Sequence, residues 1–166
     1  MAKTKAKKAK KKKLSVVPKG QSTPTAYIGV KDANAAIKFY AKAFGAKELF
    51  RLTEPGGKVS HAEIAIGAAT MMIADEYPDF GCASPQTIGG SPVQFHLYVK
   101  NADAAIKKAL KAGAKLTRPV MNQFYGDRTG SVVDPFGYRW MISHRIEAVS
   151  PKEMQRRWRD LLKAGK

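Results

Sequence analysis

Acidic residues are scarce in this 166-residue chain: 13 aspartates and glutamates stand against 30 lysines and arginines, a formal net charge of +17. Cysteine is scarcer still. Cys82 has no second cysteine to pair with, which excludes an internal disulfide, a dithiol redox centre and a zinc knuckle built on paired thiols. No apolar run approaches the roughly 18 residues that a membrane-spanning helix needs. The basic start is followed only by the short apolar patch 14–17 before Pro18, too little for the apolar core of a secretory signal. These absences point to a cytoplasmic chain with no membrane span. No Ser-His-Asp order with a nucleophile elbow is present, nor a glycine-rich phosphate loop; Gly56-Gly57 and Gly89-Gly90 read as turns.

The charge that is there is unevenly spread. Residues 1–23 carry nine lysines and no acid, 24–149 carry fifteen basic and eleven acidic residues, and 150–166 carry six and two. Repelling lysines with little apolar surface do not repay the entropy of ordering. Residues 1–23 are therefore predicted to be a disordered lysine-rich tail and linker, with the folded part starting near Thr25. Such a tail, 1–13 above all, can neutralise phosphates and bind nucleic acid without sequence preference; it has no aromatic residue for base stacking.

The most informative feature is internal. Residues 25–38 lie on residues 94–107 without a gap, so that Val30, Lys31, Ala36 and Ile37 meet Val99, Lys100, Ala105 and Ile106; Gly45-Ala46-Lys47 then echoes Gly113-Ala114-Lys115. A spacing near half the folded length is a duplication rather than a solenoid repeat. In each copy a short apolar strand ends at Val30 or Val99, and Asp32 or Asn101 stands at a helix N-cap. A helix follows with Ala36, Ile37, Tyr40, Ala41 and Phe44 inward, matched by Ala105, Ile106, Ala109 and Leu110, and Gly45 or Gly113 ends it. Strand-like pieces come next, over 48–53, 59–66 and 70–74 in the first copy and 115–119, 128–133 and 138–144 in the second. Each half reads β-α-β-β-β, the first over about 24–80 and the second over about 92–147, within one α+β domain spanning 24–149. Residues 150–166 form a separate amphipathic helix. Ser150-Pro151-Lys152-Glu153 has the residues of a capping box, and Met154, Trp158, Leu161 and Leu162 form an apolar stripe expected to dock on the domain or on a second subunit.

A βαβββ unit used twice, with Asp134-Pro135-Phe136-Gly137 turning into the last strand, resembles the vicinal-oxygen-chelate superfamily, which includes glyoxalases, bleomycin-resistance proteins and dioxygenases. Phe39-Tyr40, Ala43-Phe44-Gly45-Ala46, His61-Ala62-Glu63, Ala74-Asp75-Glu76, Ser84-Pro85-Gln86 and Phe124-Tyr125-Gly126-Asp127-Arg128 are similar to its PhnB-like branch. The resemblance implies an eight-stranded, partly closed mixed sheet forming a cup, a homodimer, and a cup that holds either a divalent metal or a drug-like molecule.

The metal expectation meets poor donors here. The positions that the resemblance would make ligands fall on Thr25 and Gln94 in the first strands and near Met72 and Met141 in the last; only Gln94 offers an oxygen suited to a hard ion, and thioethers do not. No cofactor is therefore expected, with a divalent metal as the alternative. A cup lined by Gln94, His96, Met72, Met141, Tyr125 and Arg128 instead suits a flat apolar or aromatic ligand, with the thioethers as adaptable walls and Arg128 either as an anion partner or, with Asp127, as part of a turn that holds its loop. His96 lies on the same strand face as Gln94 and reads either as a general base or as a hydrogen-bonded interior histidine. His61 and Glu63 form a second same-face pair, either a base with its orienting carboxylate or a polar cross-strand pair. The expected function is small-molecule binding, with a glyoxalase-type lyase or isomerase using His96 or His61, and a nucleic-acid-associated protein acting through its tail, as alternatives.

Overall fold

The computed structural model describes residues 14–18 and 20–165. The lysine run 1–13, and with it the expected nucleic-acid contact, lies outside the described residues. The first half contains β1 (Tyr27–Val30), α1 (Ala33–Phe44), β2 (Lys47–Thr53), β3 (Val59–Ile66) and β4 (Ala69–Asp75). A connection with a 3₁₀ turn and the single-turn α2 (Pro85–Ile88) leads to β5 (Gln94–Tyr98), α3 (Ala102–Ala112), β6 (Lys115–Asn122), β7 (Asp127–Val133) and β8 (Arg139–Arg145), and α4 (Pro151–Ala164) follows. Both halves are βαβββ.

The helix ends follow the chemistry of their sequences. The Asp32 side chain accepts from Ala35 N–H and the Asn101 side chain from Ala104 N–H, each satisfying a first-turn donor. Gly45 and Gly113 take left-handed conformations at φ 71° and 116°, which close both helices. At α4, Ser150 caps Glu153 N–H, but the reciprocal half of the capping box does not form: the Glu153 carboxylate is taken by Arg156 and Arg157. Ahead of β1, Gly20 C=O accepts from Thr70 Oγ1, so chain contact with the domain begins before Thr25. β6 runs past Pro119 to Asn122, since an edge strand tolerates a residue with no N–H; its register with β7 skips between Arg118 and Met121.

The eight strands are arranged as two four-stranded mixed sheets, in the orders β1-β4-β3-β2 and β5-β8-β7-β6. In each, the first strand runs parallel to the last and the other pairings are antiparallel. Among the described residues β1 and β5 each pair on one side only, so the two sheets are not joined into a continuous eight-stranded cup. Instead the helices bring the halves together. One core cluster combines Ala36, Ile37 and Tyr40 of α1, Ile64 and Ile73 of the first sheet, and Ile106, Trp140 and Ile142 of the second half. Phe44 packs on Trp140 with ring centroids 4.5 Å apart, and Phe39 packs on Phe136 at 6.0 Å. Because α1 is covered from two sides, its buried arc is wider than expected and includes Phe39 and Ala43, while Ala41 is exposed; Leu110 on α3 is only partly covered.

Candidate functional site: the open faces of the two sheets

Alternation along a strand sends successive side chains to opposite faces, so each sheet has a helix-covered face and an open one. In the first sheet, Ala62, Ile64 and Ile73 turn toward the core. The register then places Tyr27, Met72, Glu63 and Phe50 side by side across the open face, with Leu52 beside His61 one step along. In the second sheet, Trp140, Ile142 and Val132 are buried, and His96, Met141, Ser131 and Arg118 form the corresponding open row. Gln94 and Arg139 stand at the level on one side of this row, Tyr98, Ser143, Thr129 and Met121 at the level on the other.

The two rows are equivalent by the duplication. Tyr27 corresponds to His96, Met72 to Met141, Glu63 to Ser131 and His61 to Thr129. In the first sheet, Tyr27 Oη lies 3.1 Å from His61 Nδ1, and His61 Nε2 lies 3.8 Å from the Glu63 carboxylate. Burial pushes the Tyr27 phenol above its ordinary range, so it is protonated at neutral pH and can donate to Nδ1. In the second sheet, His96 Nε2 lies 2.8 Å from Ser143 Oγ, which in turn lies 2.7 Å from Thr129 Oγ1. The Tyr98 ring stacks on His96 with centroids 4.4 Å apart; its phenol is also raised, by burial and then by the nearby Asp127 carboxylate. Each open face thus holds one histidine fixed by a hydroxyl.

Gln94, His96 and Met141 therefore share one face, with Tyr125 in the loop near its Tyr98 end. Met72, His61 and Glu63 share the other sheet's face. The chain does not bring these two sets together, because the open faces belong to separate sheets joined back to back through the helices. Arg128 departs from the set. It alternates to the helix-covered side and makes a bidentate pair with Asp103 of α3, both contacts at 2.7 Å, while a third nitrogen donates to Asn122 Oδ1. Its guanidinium is occupied in holding α3 to β7. Tyr27 is the residue that sequence reasoning missed, although the gapless overlay of 25–38 on 94–107 already laid it on His96.

The donors at the positions where the resemblance would put a metal do not suit one. Thr25 offers a hydroxyl that donates to Ser22 C=O, and Met72 and Met141 offer thioethers. Among the described residues, no group of three His, Cys, Asp or Glu side chains is placed to hold an ion. A groove of about 330 Å³ runs between the free sides of β1 and β5, lined by Tyr27, Ile28, Pro85, Val93, Phe95 and Tyr138. No helix among the described residues is long and apolar enough to cross a membrane.

Comparison with known proteins agrees with this architecture. A protein of Mycobacterium tuberculosis whose function is uncharacterised is 41% identical over 133 residues, covering 78% of each chain. The X-ray structure of an Arabidopsis thaliana gene product is 28% identical, covers 74% of this chain and 98% of that one, and superposes with a TM-score of 0.59. The fosfomycin resistance protein FosX of Listeria monocytogenes, solved with manganese(II) and sulfate, is 15% identical, covers 82% and 97%, and gives a TM-score of 0.58, a likeness of fold alone. The family model of the glyoxalase/bleomycin resistance protein/dioxygenase superfamily matches residues 23–142, and with two βαβββ halves in that span the chain belongs to this superfamily.

Proposed function

We propose that the protein binds a small, partly apolar molecule between the open face of the first sheet of one chain and that of the second sheet of another, in a homodimer. The observation that carries this reading is the pair of uncovered faces. Phe50, Leu52, Tyr27 and Tyr98 are each about half exposed, at 48, 53, 50 and 58%, and β1 and β5 each leave one backbone edge unpaired. Exposed aromatic faces and open sheet edges are features that proteins ordinarily cover. A second chain would cover both and bring Met72, Phe50 and His61 opposite Met141, His96 and Gln94. Thioethers and aromatic rings lining such a cup suit a flat ligand. On this reading the cup holds no metal, because Gln94 alone among the positions named above offers a donor suited to a hard ion.

Sedimentation and ligand-dependent thermal shift test the proposal together. A particle of twice 18.1 kDa that is stabilised by aromatic compounds, with the stabilisation lost in Met72→Lys or Met141→Lys, is the expected result. A monomer that no such compound stabilises would sink it. Stoichiometric divalent ion in protein purified without chelator would overturn the metal-free part.

The contact between Tyr27 and His61 favours one second reading, in which His61 moves a proton in a glyoxalase-type isomerisation or lyase reaction. Nδ1 would take the proton from one substrate carbon as Tyr27 turns its hydroxyl to the carbonyl oxygen, and the imidazolium, steadied by Glu63, would return that proton to the neighbouring carbon. Turnover of a carbonyl–thiol adduct that disappears in His61→Gln, with ligand affinity kept, would establish it; absence of turnover on such adducts would remove it.

A further inference from the structure

The eight arginines of this chain divide into two groups of four. Arg51, Arg128, Arg156 and Arg157 each grip a carboxylate, at 2.6 to 2.8 Å. Arg118, Arg139, Arg145 and Arg159 have no carboxylate partner among the described residues. Arg159 lies on the exposed helix α4, but the other three all alternate onto the open face of the second sheet. Arg139 sits beside Gln94 on one side and Val133 on the other; Lys115 sits beside Val133 on its far side, and Arg118 beside Ser131. Lys115, Arg118 and Arg139 therefore stand around one end of this face, beside Ser131 and Val133 in the register. Asp127 is the one acid on the face. It lies at the opposite end, next to Arg145 and Tyr98.

Three cations on one sheet face repel one another, and an anion seated among them relieves that repulsion. Guanidinium groups are suited to this because they offer paired N–H donors to a planar carboxylate or to two oxygens of a phosphate. One register step away the surface changes character. His96, with Tyr98 stacked on it, and Met141 present a soft, aromatic floor. We infer that the open face of the second sheet is an anion subsite joined to an aromatic floor, so that the ligand is an aromatic ring bearing a carboxylate, sulfonate or phosphate. The anionic group lies between Lys115, Arg118 and Arg139, and the ring lies over His96, Tyr98 and Met141. This rests on the small-molecule reading above and specifies its ligand class.

The full chain is titrated with 2-naphthoate and with its neutral analogue 2-naphthalenemethanol, at low and moderate salt. Naphthoate is expected to bind about tenfold tighter or better, the scale of one charge-assisted contact. R118Q/R139Q is expected to erase that preference while leaving the affinity for 2-naphthalenemethanol unchanged. R159Q, which removes an unpaired arginine off the face, should keep the preference, and this separates a subsite from the overall positive charge. Equal affinity of the two compounds for the wild-type chain would overturn the inference and leave the cup reading standing. Failure of both compounds to bind would instead count against the cup itself. Displacement of naphthoate by a short oligonucleotide, dependent on Arg118 and Arg139, would reassign the face to nucleic acid and likewise overturn the inference.

Discussion

Tyr40 Oη donates to Asp134 Oδ2 at 2.8 Å, and this one hydrogen bond ties α1 of the first module to the turn before β8 of the second. Trp140 Nε1 donates to the same oxygen, while the backbone N–H groups of Phe136 and Tyr138 donate to Oδ1. Burial pushes the Asp134 carboxyl above its ordinary range even with these four donors. The tightness of the turn and the docking of α1 therefore depend on one carboxylate.

Tyr40→Phe should lower stability by about 1–3 kcal/mol, the cost of removing one buried hydrogen-bond partner. Asp134→Asn should cost more, because an amide nitrogen placed at Oδ2 would face two donors. Urea denaturation of both single variants and the double variant checks this, with strong non-additivity expected for groups in direct contact. Additive losses would mean that the two residues act independently.

Gly130 is the point at which α3 comes down on β7. A Cβ built there would lie 2.5 Å from Ile106 Cδ1 and 2.9 Å from Val120 Cγ2. Gly130→Ala should destabilise by about 1–3 kcal/mol through overpacking, and Ile106→Val in the same chain should recover part of that loss. Chemical denaturation of the two variants is the measurement.

Acid should loosen α4 before the rest of the fold. Hydrogen bonds from Arg156 and then Arg157 hold the Glu153 carboxyl down to about 2, and Arg157 lowers that of Glu147. A carboxyl whose folded pKa is depressed contributes stability above its unfolded value and loses that contribution as pH falls through the folded one. The Glu153 pairs inside α4 should therefore weaken between about pH 4.5, the ordinary value, and about 2, and the Glu147–Arg157 pair that docks the helix should weaken as pH falls below about 4.5. The Trp158 indole N–H signal reports it, since Trp158 rests on Phe124 with ring centroids 5.3 Å apart. Arg157→Gln should give the loosened signal already at neutral pH; an unchanged spectrum in that variant would show that the arginine does not hold the helix.

His61 should occur as the tautomer protonated at Nε2. Tyr27 donates to Nδ1, and Nε2–H then points toward the Glu63 carboxylate. Nitrogen-15 NMR of labelled protein reads the tautomer directly. Tyr27→Phe should release the preference, and an Nδ1-protonated ring in the wild type would reverse the assigned donor.

Arg128→Gln should leave ligand affinity unchanged, because Asp103 and Asn122 already engage that guanidinium on the helix-covered side. A large loss of affinity for 2-naphthoate would place Arg128 back in the binding face.

The sequence by itself determined the duplication, the helix caps and the two βαβββ modules, because these depend on local chemistry. Asp32 and Asn101 can satisfy a first-turn N–H wherever the helix is placed, and Gly45 and Gly113 meet the left-handed requirement without regard to neighbours. Strand alternation also determined that Gln94 and His96 share a face, as do His61 and Glu63. The partners of those faces were decided by tertiary structure. Arg128 is one residue from Asp127 in the chain, yet the two occupy opposite faces, and only the position of Asp103 on α3 shows which carboxylate the arginine takes. That Arg118 and Arg139 have no carboxylate partner among the described residues has the same origin: an ion pair depends on distance in space, and sequence spacing says little about it across four strands. The tertiary fold also decided that α1 lies between the two halves. A helix covered on two sides by separate sheets buries Phe39 as well as Tyr40, and this back-to-back packing leaves the other face of each sheet uncovered.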